Sequence, residues 1–232
     1  MNNALKNTTV VVVGGSSGIG LEVAKQAWRE GARIVIASRS AGAESVALSK
    51  AVGGAVETYS LDITKPEEYE GLLKKAGVID HLVFTVRAVA KSAHFRDISV
   101  ADVKFAFESK FWGPYALIQA ALGQLSPAAS IVLTSGIAGE KIYKESSTYE
   151  LLSGAIETFC RALAFELAPI RVNTVSPGYV EPKSDEMKQY AESFPLGRIA
   201  SLPEVAMAYL SLMTNPYVTG TISVIDGGAR LI

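Results

Sequence analysis

The densest chemistry in this sequence lies in one turn. Thr9-Val10-Val11-Val12-Val13 runs directly into Gly14-Gly15-Ser16-Ser17-Gly18-Ile19-Gly20. An unbroken run of β-branched residues reads as a strand buried on both faces. A glycine at 14 admits backbone angles that a Cβ forbids. Gly18 and Gly20 let the chain approach a ligand and let the next helix pack closely on the sheet. The start of that helix offers unpaired N–H groups and a partial positive charge, which suits a pyrophosphate. Strand, glycine turn and helix in this order are the context in which the spacing denotes a dinucleotide site; a ligand-free tight turn is the plainer alternative.

A second cluster suggests which dinucleotide. NAD sites place a carboxylate after the second strand to hold the ribose hydroxyls. Here that position reads Ser38-Arg39-Ser40, with no acid. An arginine can pair with a 2′-phosphate and stack on adenine. Ser16, Ser38 and Arg39 are therefore expected contacts of NADP(H), in preference to NAD(H). The alternative is a solvated loop arginine.

The elements that position these groups alternate along the chain. The pattern predicts strands at 9–13, 33–38, 57–61, 80–85, 130–135, 171–176 and 221–226. Helices are predicted at 18–30, 43–51, 99–122 and 147–168, with further helices after Thr64, expected as a cap, and from Pro203. Gly113-Pro114 should bend the long helix at 99–122. Such alternation argues for a parallel sheet covered by helices on both faces. The 232 residues suit a single domain spanning 1–232, and residues 179–200 read as a short substrate lid.

Composition narrows the class further. Net charge is −1 with the signs interspersed, which argues against nucleic-acid or membrane partners. One cysteine, Cys160, excludes an intrachain disulfide and a cysteine-built zinc site, and its apolar setting suggests a buried small hydrophobe. With only His81 and His94, no histidine-rich metal site is expected. Met1-Asn2-Asn3-Ala4 does not read as the start of a signal peptide, so a cytoplasmic protein is the expectation.

Gly14-x-x-x-Gly18-x-Gly20 resembles the turn of the short-chain dehydrogenase/reductase family. The resemblance extends to Asp62, Arg171-Val172-Asn173, Ser176-Pro177-Gly178, Pro195-Leu196-Gly197-Arg198, Pro203-Glu204-Val205-Ala206, Val218-Thr219-Gly220 and Asp226-Gly227-Gly228. It implies a Rossmann-like, doubly wound α/β fold with seven parallel strands in the order 3-2-1-4-5-6-7. It also implies that the Asp62 side chain and Ile63 backbone meet the adenine, and that Ser17, Ile19, Thr85, Pro177, Gly178 and Val180 line the cofactor. A homodimer or homotetramer is implied as well, built on the helices carrying Lys110 and Tyr149. Phe105, Phe107, Phe111, Trp112, Phe159 and Phe165 are available for that contact or for the core.

Carbonyl-reducing members of the family resemble one another in an Asn–Ser–Tyr–Lys set, and here that set is broken. Tyr149 stands in the tyrosine position and Ser153 in that of the lysine. Gly136 takes the serine position, with Ser135 one residue earlier, and Lys110 takes that of the asparagine. The Asn-Asn-Ala-Gly segment is Phe84-Thr85-Val86-Arg87, and Pro182 replaces a threonine near the nicotinamide. A free tyrosine titrates near ~10, and a neighbouring cation can lower that by roughly 1–3 units. Candidate catalytic residues are Tyr149, Ser135 and Lys110, with Arg87 and Lys91 as other possible cations. Tyr143, Tyr179 and Glu181 are further groups near the presumed cleft. Tyr149 could instead pack the cleft wall, and Lys110 could be a surface lysine. Two functions stay open. One is NADP(H)-dependent hydride transfer to or from a small carbonyl, alcohol, imine or iminium compound. The other is a related protein without redox turnover, either regulatory or catalysing an isomerisation, dehydration or cyclisation.

Overall fold

The computed structural model describes residues 3–232; the reading of Met1-Asn2-Asn3-Ala4 as no leader rests partly on positions 1 and 2, outside the described residues. Strands β1 (Thr9–Val13), β2 (Arg33–Ser38), β3 (Glu57–Ser60), β4 (Ile79–Phe84), β5 (Leu125–Thr134), β6 (Arg171–Pro177) and β7 (Ile222–Ile225) form one parallel sheet. Their order is β3-β2-β1-β4-β5-β6-β7, as expected. Helices α1 (Gly18–Arg29), α2 (Ser45–Val52) and α8 (Leu202–Thr214) belong to one face, and α7 (Asp185–Ala191) lies within segment 179–200. Helices α3 (Tyr69–Ala76), α5 (Gly113–Ala121) and α6 (Ser147–Glu166) belong to the other.

The strands alternate between these two cores. Val10 and Val12 share a core with Val23, Ala27 and Tyr209, while Val11 and Val13 share the other with Leu72, Leu117 and Ile156. Burying such a side chain contributes about 1.5–3 kcal/mol. Cys160 is fully buried beside Val172, as a small hydrophobe should be. The sheet order reverses between β1 and β4, so their carboxyl ends open the crevice where such folds hold ligands. No helix among the described residues is long and apolar enough to cross a membrane.

The structure differs from the sequence expectation in three places. The helix expected over 99–122 is split: α4 (Val100–Phe107) leads into a π turn, Glu108–Trp112, before α5 begins. Pro114 has no N–H to offer the Lys110 carbonyl four residues back. The helix absorbs this by widening upstream of Pro114, where the Gly113 N–H bonds to Glu108 O, five residues back. Thr64 does not cap the following helix; its hydroxyl donates to the Asp62 carboxylate at 2.8 Å, and Lys65 takes the cap position. Finally, β5 starts at Leu125, five residues earlier than expected, with Leu125 paired to Ile79.

Candidate functional site

The glycine turn is shaped by its neighbours. Gly14 has φ +87°, and a Cβ there would lie 2.9 Å from Thr85 C and from Val86 N. A Cβ on Gly20 would collide with Thr85 Oγ1 and the Gly14 carbonyl. Thr85 is fastened in turn to β1, its N–H and Oγ1 both donating to Val13 O at 2.8 and 3.1 Å. Gly18 faces open space, so the crowding stops where a ligand would enter. Ser17 is the N-cap of α1 but gives it no side-chain hydrogen bond. The N–H groups of the first turn, including Ile19, are thus left for an anion, with Ser16 beside them.

At the far end of this cradle, Ser38 Oγ is enclosed and has no hydrogen-bond partner. A buried hydroxyl left unpaired costs free energy comparable to a lost hydrogen bond. Arg39, next to it, is exposed and joins no ion pair among the described residues. An orphaned hydroxyl and a free guanidinium suit a phosphate on the adenine ribose. The Asp62 carboxylate is held low by its hydrogen bonds from Thr64, with Lys65 and Arg39 adding to the effect. The Ile63 carbonyl is taken by Tyr69 Oη at 2.5 Å, so the carbonyl is engaged within the fold. Gly178 closes against β7, where a Cβ would sit 2.9 Å from Asp226, and Pro177 ends β6 beside it. Val180 pairs with Ala200 and ties down the base of segment 179–200.

The groups expected to carry proton chemistry do not meet as a set. Tyr149, in the first turn of α6, donates to the Ala90 carbonyl at 2.9 Å. Ser153 lies one turn further, buried, with Gly136 across from it. Ser135 is engaged elsewhere: its hydroxyl donates to Glu157 Oε1 at 2.9 Å. Glu157 sits eight residues beyond Tyr149, or about 12 Å along the helix. It is buried, and that burial pushes its pKa up; Glu140 adds to the rise, while Ser135 and Arg161 oppose it. Sequence reasoning missed Glu157. Its signal was an acid four residues after Ser153 and eight after Tyr149, on the same helix face between Ile156 and Phe159.

Lys110 is half-buried rather than a surface lysine. Its amine donates to Val86 O at 2.8 Å, and burial pulls its pKa down to about 8. The expected reach of Arg87 and Lys91 to Tyr149 is not seen: Arg87 is exposed, and Lys91 turns outward to Asp97 O at 2.9 Å. Tyr143 and Tyr179 pack edge to face, and Tyr179 also meets Phe194 at a tilt in a small aromatic cluster. Burial pushes the phenols of Tyr143 and Tyr179 upward. Glu181 is exposed and accepts from Leu202 N. Phe111 and Phe159 pack against the core, whereas Phe105, Trp112 and Phe165 are exposed at 62, 50 and 88%.

Comparison with known proteins agrees with this fold. The family described as Enoyl-(Acyl carrier protein) reductase matches residues 13–230. A human 3-oxoacyl-[acyl-carrier-protein] reductase is 32% identical over 95% of this chain and 97% of its own. A short-chain dehydrogenase/reductase of Stachybotrys chlorohalonatus is also 32% identical, over 98% of each chain. Among solved structures, a small-chain dehydrogenase in complex with NADPH is 34% identical, with a TM-score of 0.85 over 97% of this chain and 99% of that one. A glycine turn closed by Thr85, the reversal between β1 and β4, and this match across nearly the whole sequence lead to one conclusion: the chain belongs to the short-chain dehydrogenase/reductase family.

Proposed function

We propose that the protein is an NADP(H)-dependent oxidoreductase whose substrate is a small carbonyl or iminium compound, or the corresponding alcohol or amine in reverse. One observation carries the choice of cofactor: the enclosed, partnerless Ser38 hydroxyl beside the free Arg39, where an NAD site would hold a carboxylate. Gly14, Ser16, Ser17, Gly18, Ile19 and Gly20 hold the pyrophosphate, Ser38 and Arg39 the 2′-phosphate, and Asp62 with the Ile63 N–H the adenine. Thr85, Pro177, Gly178 and Val180 border the nicotinamide half. When bound, the cofactor supplies or accepts a hydride.

The chain's own part is to hold the substrate and manage a proton. Tyr149 is the proposed proton donor, its O–H already directed at an acceptor, Ala90 O, in this structure. A substrate oxygen must compete with that carbonyl. Ser135 and Lys110 are committed to Glu157 and Val86, and Ser153 supplies no cation, so little in the site favours a developing alkoxide. An iminium substrate arrives with its charge in place and becomes neutral on reduction, which places less demand on these groups. Segment 179–200 covers the site as a lid, with its aromatic cluster toward the substrate.

The exposed Phe105, Trp112 and Phe165 support a homo-oligomer formed through the α4 and α6 faces. The decisive first experiment titrates the protein with NADPH and with NADH by ligand fluorescence, then follows NADPH oxidation with matched ketones and cyclic iminium salts. Binding of neither nucleotide would overturn the reading.

A further inference from the structure

We infer that Lys110 is a positioning residue for the dinucleotide: by holding the Val86 carbonyl, it fixes the Thr85–Val86 wall that shapes the glycine turn. This rests on the cofactor reading above and assigns Lys110 a role different from that of a cation beside Tyr149.

The contacts are continuous. Lys110 Nζ holds Val86 O at 2.8 Å, and Val86 N backs onto Gly14 so closely that no Cβ fits between them. The preceding residue, Thr85, closes the turn at Gly20 and is bonded to Val13 O. The amine therefore acts one residue from the pyrophosphate cradle. Its amine makes no other hydrogen bond among the described residues. The cavity around it is lined by Phe84, Phe111, Leu133, Ile156 and Phe159, and no carboxylate pairs with it among the described residues. Thr134, the polar residue in that lining, is already committed, donating to Phe84 O at 2.6 Å and lying 2.7 Å from Tyr209 Oη. An amine taken from water with one neutral acceptor is costly to keep. A methionine would fill the same space at less cost but could not hold the carbonyl.

The lining contributed by β4, β5, α5 and α6 carries no other ionisable group, so a titration in this place belongs to Lys110. Loss of its proton weakens the bond to Val86 without abolishing it, since a neutral amine still donates.

The test uses the whole protein. NADPH and 2′-AMP are titrated into wild type, Lys110→Met and Lys110→Gln between pH ~6.5 and ~9.5. The expected result is a loss of about tenfold in NADPH affinity for Lys110→Met, largely recovered in Lys110→Gln, which keeps an N–H donor. Affinity for 2′-AMP, which engages the Ser38–Arg39 end, should not change. The wild type should also lose NADPH affinity as pH rises through about 8, and Lys110→Gln should not. Unchanged NADPH affinity in Lys110→Met, or an equal loss for both ligands, would overturn the inference. Failure of wild type to bind NADPH would overturn the cofactor reading first, and is visible before any variant is made.

Discussion

Tyr149 donates its hydroxyl hydrogen bond to the backbone carbonyl of Ala90, at 2.9 Å, across the mouth of the crevice. The phenol proton thus points at an oxygen that is not a substrate's. Exchange of that acceptor for a substrate oxygen is the simplest way for the site to engage. A general acid contributes about 10²–10⁴-fold, so Tyr149→Phe should lower kcat on a ketone by that order. On a cyclic iminium salt, where no proton is needed during hydride arrival, the loss should stay below about tenfold. Steady-state kinetics on the matched pair checks this; equal losses would remove Tyr149 from proton transfer.

Arg39 is predicted to set nucleotide preference. Arg39→Asp removes the partner of the 2′-phosphate and supplies an acid for ribose hydroxyls. NADPH affinity should fall by about tenfold or more while NADH affinity holds or rises. Fluorescence titration of both nucleotides decides it, and parallel losses would contradict the assignment.

Glu157 is predicted to cost stability at neutral pH. Its carboxyl is pushed up by burial, so the folded state binds its proton more tightly than the unfolded chain does. The resulting stabilisation is complete below the unfolded value and is lost as pH rises through the folded one. Glu157→Gln keeps an acceptor for Ser135 without the charge. It should match wild type near pH ~4 and exceed it near pH ~7. Chemical denaturation at the two pH values measures the gap; a gap that shrank with rising pH would reverse the argument.

The glycines of the turn should separate by cause. Gly18→Ala meets open space and pays for a positive φ alone, costing about 1 kcal/mol. Gly20→Ala drives a methyl into Thr85 Oγ1 and the Gly14 carbonyl, and so displaces the wall as well. Thermal melts with and without NADPH should show a small shift for the first. The second should show a larger one, with loss of stabilisation by the nucleotide.

Much of the sheet was legible because its evidence is local. Val10–Val13 and Ile34–Ala37 are buried on both sides, and a strand in that position leaves an unbroken apolar run. The glycine turn was legible for the same reason. Tyr149, Ser135 and Lys110 could be named from the family resemblance, but not their partners. Each bonds to a residue on another element: Ala90 after β4, Glu157 on α6 and Val86 at the crevice. Such pairings are set by how helices settle on the sheet. Pro114 announced an interruption, yet the widening appeared upstream of it, because the donor that proline lacks was owed to Lys110.

The π turn at Glu108–Trp112 puts α4 and α5 out of phase by one residue, about a quarter-turn of rotation. Lengthening or shortening the chain here by one residue would therefore be absorbed as a change of azimuth. Removal of one residue would close the π turn and swing Phe105 and the rest of α4 around the axis, while α5 kept its seat on the core. The segment is a point where a lineage could re-aim one surface independently of the chamber beneath it, by an insertion or deletion too small to disturb the fold.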